Sequence, residues 1–226
     1  MIDMFKKILR ILIGAVCLPL AVTVSKSFYG QLSGITLLDL QDQRYFLWGV
    51  ACYIILHLFF FKPNYIYNLG HEVVHVLSTW LSFGKAKNLK VSEKGGSVQT
   101  TKSNFFISIS PYFIPIYTVI LCLAYFIVSR FGDVSGAVPY IIFFIGFTLT
   151  MHIVLTVDAL KVSQPDLIKT GYLFSLSFIY VINIIVAAFV ISLIFTGFSF
   201  VEFFVNFYIQ TKDMYVEIFR QLFAVV

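Results

Sequence analysis

Within an otherwise apolar run, residues 65–81, the chain carries Gly70-His71-Glu72-Val73-Val74-His75. On a helix, His71 and His75 stand one turn apart on one face, so two imidazoles can share one Zn2+ while Glu72, the next residue along, reaches a water beside it. The chemistry this spacing suits is metal-assisted hydrolysis. The flanking residues, among them Tyr65, Ile66, Leu69, Val76, Leu77 and Trp80, suit lipid rather than an aqueous cleft. Asn64, Asn68, His71, Glu72, His75, Ser78, Thr79 and Ser82 recur at steps that draw a single polar stripe along the helix. Ionisable groups facing lipid cost several kcal/mol, so that stripe must face protein or a water pocket.

Two histidines do not complete a catalytic zinc site, which needs a third protein ligand and an open position. The remaining histidines that lie near the motif in type, His57 and His152, sit in apolar runs, and the acids nearest the end of a run are Asp158 and Asp166. If the two runs after the motif go out and back, residues 158–166 return to the side where the motif helix ends. His75 lies about 14 Å short of that end. The segment bearing the ligand must therefore dip into the membrane, which polar backbone tolerates where it lines a cavity.

The elements that must position these groups follow from composition. The 226 residues are 59% hydrophobic and 12% charged, too apolar for a soluble domain, and they read as a single, multi-pass membrane domain, residues 1–226, in a bacterial-type plasma membrane or another cellular membrane. The formal charge of +5 is spread over the loops, which suits anionic lipid headgroups and gives no reason to expect a nucleic-acid partner. Cys17, Cys52 and Cys122 lie in apolar runs and read as packing residues, not as a disulfide framework or a thiolate zinc site. Lys6, Lys7 and Arg10 open an apolar run that lacks a good cleavage site, so it is taken as an anchor rather than a signal peptide.

The expected fold is all-α, with about six membrane helices at 8–24, 45–61, 64–84, 105–128, 138–157 and 167–196. A β-hairpin is expected at 85–104 and an amphipathic helix, lying in the interface, at 200–226. Residues 25–43, more polar, read as a loop. Lys62-Pro63 ends the second helix, and so short a turn folds the motif helix back beside its predecessor. Gly95-Gly96 supply the tight hairpin turn, with Leu89, Val91, Val98 and Thr100 alternating around it. The hairpin's outer edge suits an extended peptide added as a further strand. Pro111 and Pro115 break the fourth helix and free backbone carbonyls.

On these residues the chain resembles the site-2 protease family of intramembrane zinc metalloproteases. That family carries H-E-x-x-H on one transmembrane helix, then a Gly-containing strand region, a Pro-containing helix, and an aspartate ligand in an Asn-Pro-Asp-Gly or Leu-Asp-Gly motif. The counterparts here are His71-Glu72-Val73-Val74-His75, Gly95-Gly96-Ser97-Val98, Ser110-Pro111-Tyr112 and Gln164-Pro165-Asp166-Leu167. Leu167 stands where the family has glycine, and Gln164 where it has asparagine. The resemblance implies Zn2+ on His71, His75 and Asp166, with Asp158 as runner-up for the third ligand, and Glu72 as the catalytic base. It implies hydrolysis of peptide bonds within or next to transmembrane segments of membrane-protein substrates, with Gly95, Gly96, Val98 and His152 as candidate substrate contacts. The runner-up reading is a catalytically inactive membrane protein of the same fold that acts as a binding or regulatory module. A transporter fits less well, because Gly/Pro-broken spans do not recur in two halves.

Overall fold

The computed structural model of the protein describes residues 12–35, 43–162, 167 and 171–223. The chain forms two compact units, a central one, Leu40–Ile168, and a flanking one built from Met1–Asp39 and Lys169–Val226. Among the described residues three helices are long and apolar enough to cross a membrane, Leu12–Leu32, Ser135–Leu160 and Tyr172–Ile194, and two bent pairs would raise that to five. The sequence led us to expect about six, because each apolar run counted as a span. Two of those runs are short helices that meet at a sharp bend, and one is broken in its first half.

The central unit is organised on α2 (Arg44–Phe59) and α6 (Val138–Leu160), which pack along one another. At their crossing the two backbones touch. A Cβ on Gly49 would lie 2.0 Å from the Phe143 carbonyl oxygen, and one on Gly146 would lie 2.3 Å from that of Phe46. Small residues allow this approach where lipid supplies no hydrophobic drive for helices to associate. Beside the crossing, Tyr53, Tyr67, Met151 and Leu155 form a buried core, with Tyr53 edge-on to Phe147.

The helix carrying the motif is α3 (Asn64–Leu81). It is bent 118° from α2 at the Lys62-Pro63 turn rather than folding back beside it as expected, and the face of α2 at Gly49 is occupied by α6. The chain leaves α3 through Phe83 at φ 56°, with the Gly84 N–H donating to the Thr79 carbonyl at 2.8 Å, a Schellman-type end.

The hairpin pairs β1 (Ala86–Ser92) with β2 (Gly95–Thr100), antiparallel, in the register Val91↔Gly96 and Ser92↔Gly95. Its tight turn is therefore Glu93-Lys94 and not the glycine pair, which instead opens β2. An irregularity between Lys87 and Lys90, with Asn88 at φ 54°, bends β1 as a bulge does. At the base the Lys102 ammonium donates to the Ser82 carbonyl at 2.8 Å.

After the hairpin come α4 (Phe105–Ile109), a 3-10 turn at Ser110–Tyr112, and α5 (Ile116–Val128), bent 80° from the preceding pair. The break at Pro111 and Pro115 is the one the sequence leads us to expect. Thr118 and Thr148 share a hydroxyl hydrogen bond of 2.9 Å that joins α5 to α6. Before α6, the Ser135 N–H donates to Asp133, and that bond holds the exposed carboxyl below its usual range.

The flanking unit contains α1 (Leu18–Leu32), α7 (Tyr172–Ile194) and α8 (Phe200–Phe223). Residues 25–32 are helical, not a loop. Their polar side chains have partners on the neighbouring helices: Ser25 bonds the Tyr180 hydroxyl at 2.8 Å, and Gln31 accepts from the Ser199 N–H at 3.1 Å. Thr23 and Thr211 share a hydroxyl bond of 2.8 Å between α1 and α8, and the Tyr215 hydroxyl donates to the Val16 carbonyl. Phe28, Phe198 and the fully buried Phe203 pack ring against ring between them. The amphipathic helix α8 thus lies along α1.

Candidate metal centre

On α3 the residues Tyr67, Gly70, Glu72, Val74, Ser78 and Thr79 are buried, while Tyr65, Ile66, Leu77, Trp80 and Leu81 are exposed. The polar stripe therefore faces protein. His71 and His75 lie one above the other with ring centroids 5.0 Å apart, and Glu72 is only 6% exposed. Gly70 lets the ring of Tyr117 close against the helix, since a Cβ there would sit 2.8 Å from it, and the Tyr117 hydroxyl donates to the Ile66 carbonyl at 2.6 Å.

His75 is held by backbone. Its Nδ1 lies 2.9 Å from the Ile107 carbonyl oxygen; a carbonyl only accepts, so the proton is on Nδ1 and the lone pair is on Nε2. The reason that carbonyl has no N–H partner in its own helix, only the Ser110 hydroxyl at 3.5 Å, lies in the sequence. Ser110 N–H bonds the Phe106 carbonyl in helical fashion, and the next donor in the series would be residue 111, four after Ile107. Residue 111 is proline and has no N–H to give. Metal-ligating histidines commonly donate their second ring nitrogen to a carbonyl in this way. Asn104 fixes the short helix by accepting from the Ile107 N–H at 2.8 Å.

His71 packs edge to face on Tyr112, with centroids 4.9 Å apart. Its Nδ1 is buried and has no hydrogen-bond partner among the described residues. His152, 7% exposed, lines the same small cavity as His71.

The hairpin covers the other flank of Glu72. A Cβ on Gly96 would lie 2.5 Å from Glu72 Cγ and 2.9 Å from its Oε1, so glycine is required for the backbone of β2 to reach the carboxylate. This explains why the glycine pair opens a strand. Asn68, on the polar stripe, donates to the hairpin carbonyls of Ser92 at 2.9 Å and Glu93 at 3.3 Å. Gly95 and Val98 lie on the same strand as Gly96. Asn183 donates to Ile179 of its own helix.

Asp158 lies in the last turn of α6, apart from the two histidines. Its oxygens take the Lys62 ammonium at 2.6 Å and the Lys161 ammonium at 2.7 Å, with His57 Nε2 at 3.5 Å. Asp166 lies outside the described residues. Among the described residues no group of three His, Cys, Asp or Glu is placed to hold a metal ion. The donors that are described fit zinc: two imidazoles one turn apart, one with its tautomer set by backbone, beside a buried carboxylate.

Sequence reasoning missed the Ile107 carbonyl, the Tyr112 ring and the Gly96 approach. Only the first had a signal, a proline four residues after the carbonyl and just beyond the motif helix's neighbour. In comparison with known proteins, no family model, no curated protein and no solved structure matches the chain.

Proposed function

We infer that the protein is a membrane-embedded zinc metalloprotease that hydrolyses peptide bonds within or next to transmembrane segments. The observation that carries this reading is the His75–Ile107 bond, which puts the His75 proton on Nδ1 and its lone pair on Nε2, one helical turn from His71 and beside the buried Glu72. The fold that would carry the activity is a membrane bundle, with the hairpin as an insertion after α3.

His71 and His75, with Asp166 as the third ligand that the resemblance to site-2 proteases implies, would hold the zinc. Bound there, it would supply Lewis acidity toward a scissile carbonyl and acidify a water. Glu72 takes a proton from that water as its oxygen bonds the carbonyl carbon, then passes the proton to the amine nitrogen as the C–N bond breaks. Among the described residues β2 pairs only with β1, so an extended peptide could add to its outer edge on the strand that Gly96 packs against Glu72. Pairing of this kind would also hold the substrate unwound, as a helical peptide bond is otherwise shielded by its own hydrogen bonds.

The test is zinc per chain in purified protein, by elemental analysis, for the native sequence and for His75→Ala, Asp158→Asn and Asp166→Asn. The expected result is about one zinc per native chain, lost with His75→Ala and Asp166→Asn and kept with Asp158→Asn, whose carboxylate is engaged by two lysines. No zinc in the native protein after metal is supplied would overturn the enzyme reading. The chain would then be read as a binding or regulatory module, in keeping with the lack of a three-residue metal group among the described residues.

A further inference from the structure

We propose that the cavity behind His71 holds one structural water, accepting from the His71 Nδ1–H and donating to the Pro111 carbonyl, and that Pro115 is the positioning residue that keeps this carbonyl free. This inference rests on the zinc reading of His71 and His75.

The two histidines differ in their direct bonds. His75 donates to the Ile107 carbonyl, whereas the buried Nδ1 of His71 has no partner among the described residues. The segment opposite nevertheless repeats its pattern at the interval that separates the histidines. Pro111 withholds an N–H from Ile107, and four residues on Pro115 withholds one from Pro111. The geometry just before Pro115 is helical in its bonding: Ile114 N–H reaches the Ser110 carbonyl at 3.0 Å. A residue with an N–H at position 115 would be the next in that series to reach the Pro111 carbonyl. Pro111 is itself fully buried, so bulk water does not serve that oxygen either.

His71, Pro111 and Pro115 line one small cavity, with Tyr67, Thr148 and His152 on its other walls. Its volume is about 10 Å³, close to the least that admits a water, and a water at such a site needs two or more polar partners. A donor on His71 and an acceptor on Pro111 meet that need, and the polar side chains of Thr148 and His152 share the wall. The bridge would place the His71 proton on Nδ1 and its lone pair on Nε2, the same tautomer that Ile107 imposes on His75.

The full chain, purified in detergent, is to be compared with Pro115→Ala and His152→Phe. Co2+ is titrated against a competing chelator, and the visible absorption of the bound ion is recorded. Pro115→Ala offers the Pro111 carbonyl an N–H in place of the water, and His152→Phe fills the cavity. Each is expected to weaken Co2+ binding about ten- to a hundredfold and to shift the absorption bands, while Val119→Ala on the exposed side of α5 changes neither. Unchanged affinity and spectrum in both variants would overturn the proposal. Should the variants fail to fold, a density map of the unaltered protein decides. A peak within hydrogen-bond reach of both His71 Nδ1 and the Pro111 oxygen supports the water, and no peak there, in a map that shows other buried waters, rejects it. Native protein that shows this peak but binds no Co2+ would remove the zinc reading and leave the water in place, whereas bound Co2+ without the peak would remove the water alone.

Discussion

The flanking and central units both pair polar groups among apolar helices, and the central one adds a second way of engaging them. In the flanking unit the groups close on one another: Thr23 with Thr211, Ser25 with Tyr180, Gln31 with the Ser199 N–H. In the central unit Thr118 and Thr148 close on one another in the same way, but a proline-broken segment also presents a carbonyl to Nδ1 of His75, which puts that ring's lone pair on Nε2. Polar groups that satisfy each other are joints between helices, while an imidazole whose tautomer is set by a backbone carbonyl is oriented as a metal ligand would be. Ser27 and Gln210 in the flanking unit also have an oxygen without a partner among the described residues, but no imidazole pair or buried carboxylate accompanies them.

This contrast is open to direct tests. The largest effect is expected from Glu72→Gln, which should lower cleavage of a model transmembrane peptide on the order of 10²–10⁴-fold while zinc content and melting temperature hold. Full cleavage by that variant would end the assignment of Glu72 as base. Phe203→Ala, in the flanking unit, should cost about 3–5 kcal/mol of stability by removing a fully buried ring, read by thermal denaturation in detergent, with zinc per folded chain unchanged. Loss of zinc in the folded variant would erase the distinction between the two units. Pro111→Ala returns an N–H to the Ile107 carbonyl in competition with His75, so metal affinity should fall about ten- to a hundredfold; native affinity there would show that the His75–Ile107 bond does not matter for binding. The smallest effect belongs to Thr23→Val, which breaks one interhelical hydroxyl bond at about 0.6 kcal/mol and should leave metal binding untouched.

Much of the architecture was legible in the sequence because it rests on periodicity and proline. The starts of α3 and α6 and the presence of a hairpin follow from apolar spacing, proline and strand alternation, although the two helices end at Leu81 and Leu160 where 84 and 157 were expected, and the broken fourth run follows from Pro111 and Pro115. The mistakes have a common cause, residues whose conformation depends on a partner far away in the chain. Residues 25–32 look like a loop until Ser25 and Gln31 meet Tyr180 and Ser199. Gly95-Gly96 looks like a turn until Glu72 is placed against Gly96. Gly49 and Gly146 stand singly in apolar runs, and nothing local marks them as the place where two helices touch. For the metal centre, spacing alone names His71, Glu72 and His75, and Pro111 points to Ile107 four residues before it. Asp166 depends on the resemblance.

The crossing of α2 and α6 has a mechanical consequence. Helices held together by side chains can slide or roll by exchanging rotamers, but where backbone meets backbone, as at Gly49 and Gly146, there is no soft layer to deform. The two helices therefore move as one strut. Motion within the central unit is then left to the parts mounted on that strut, the motif helix, the hairpin and the proline-broken segment, and the Lys62–Asp158 ion pair of 2.6 Å pins the bend where the motif helix begins to the end of α6.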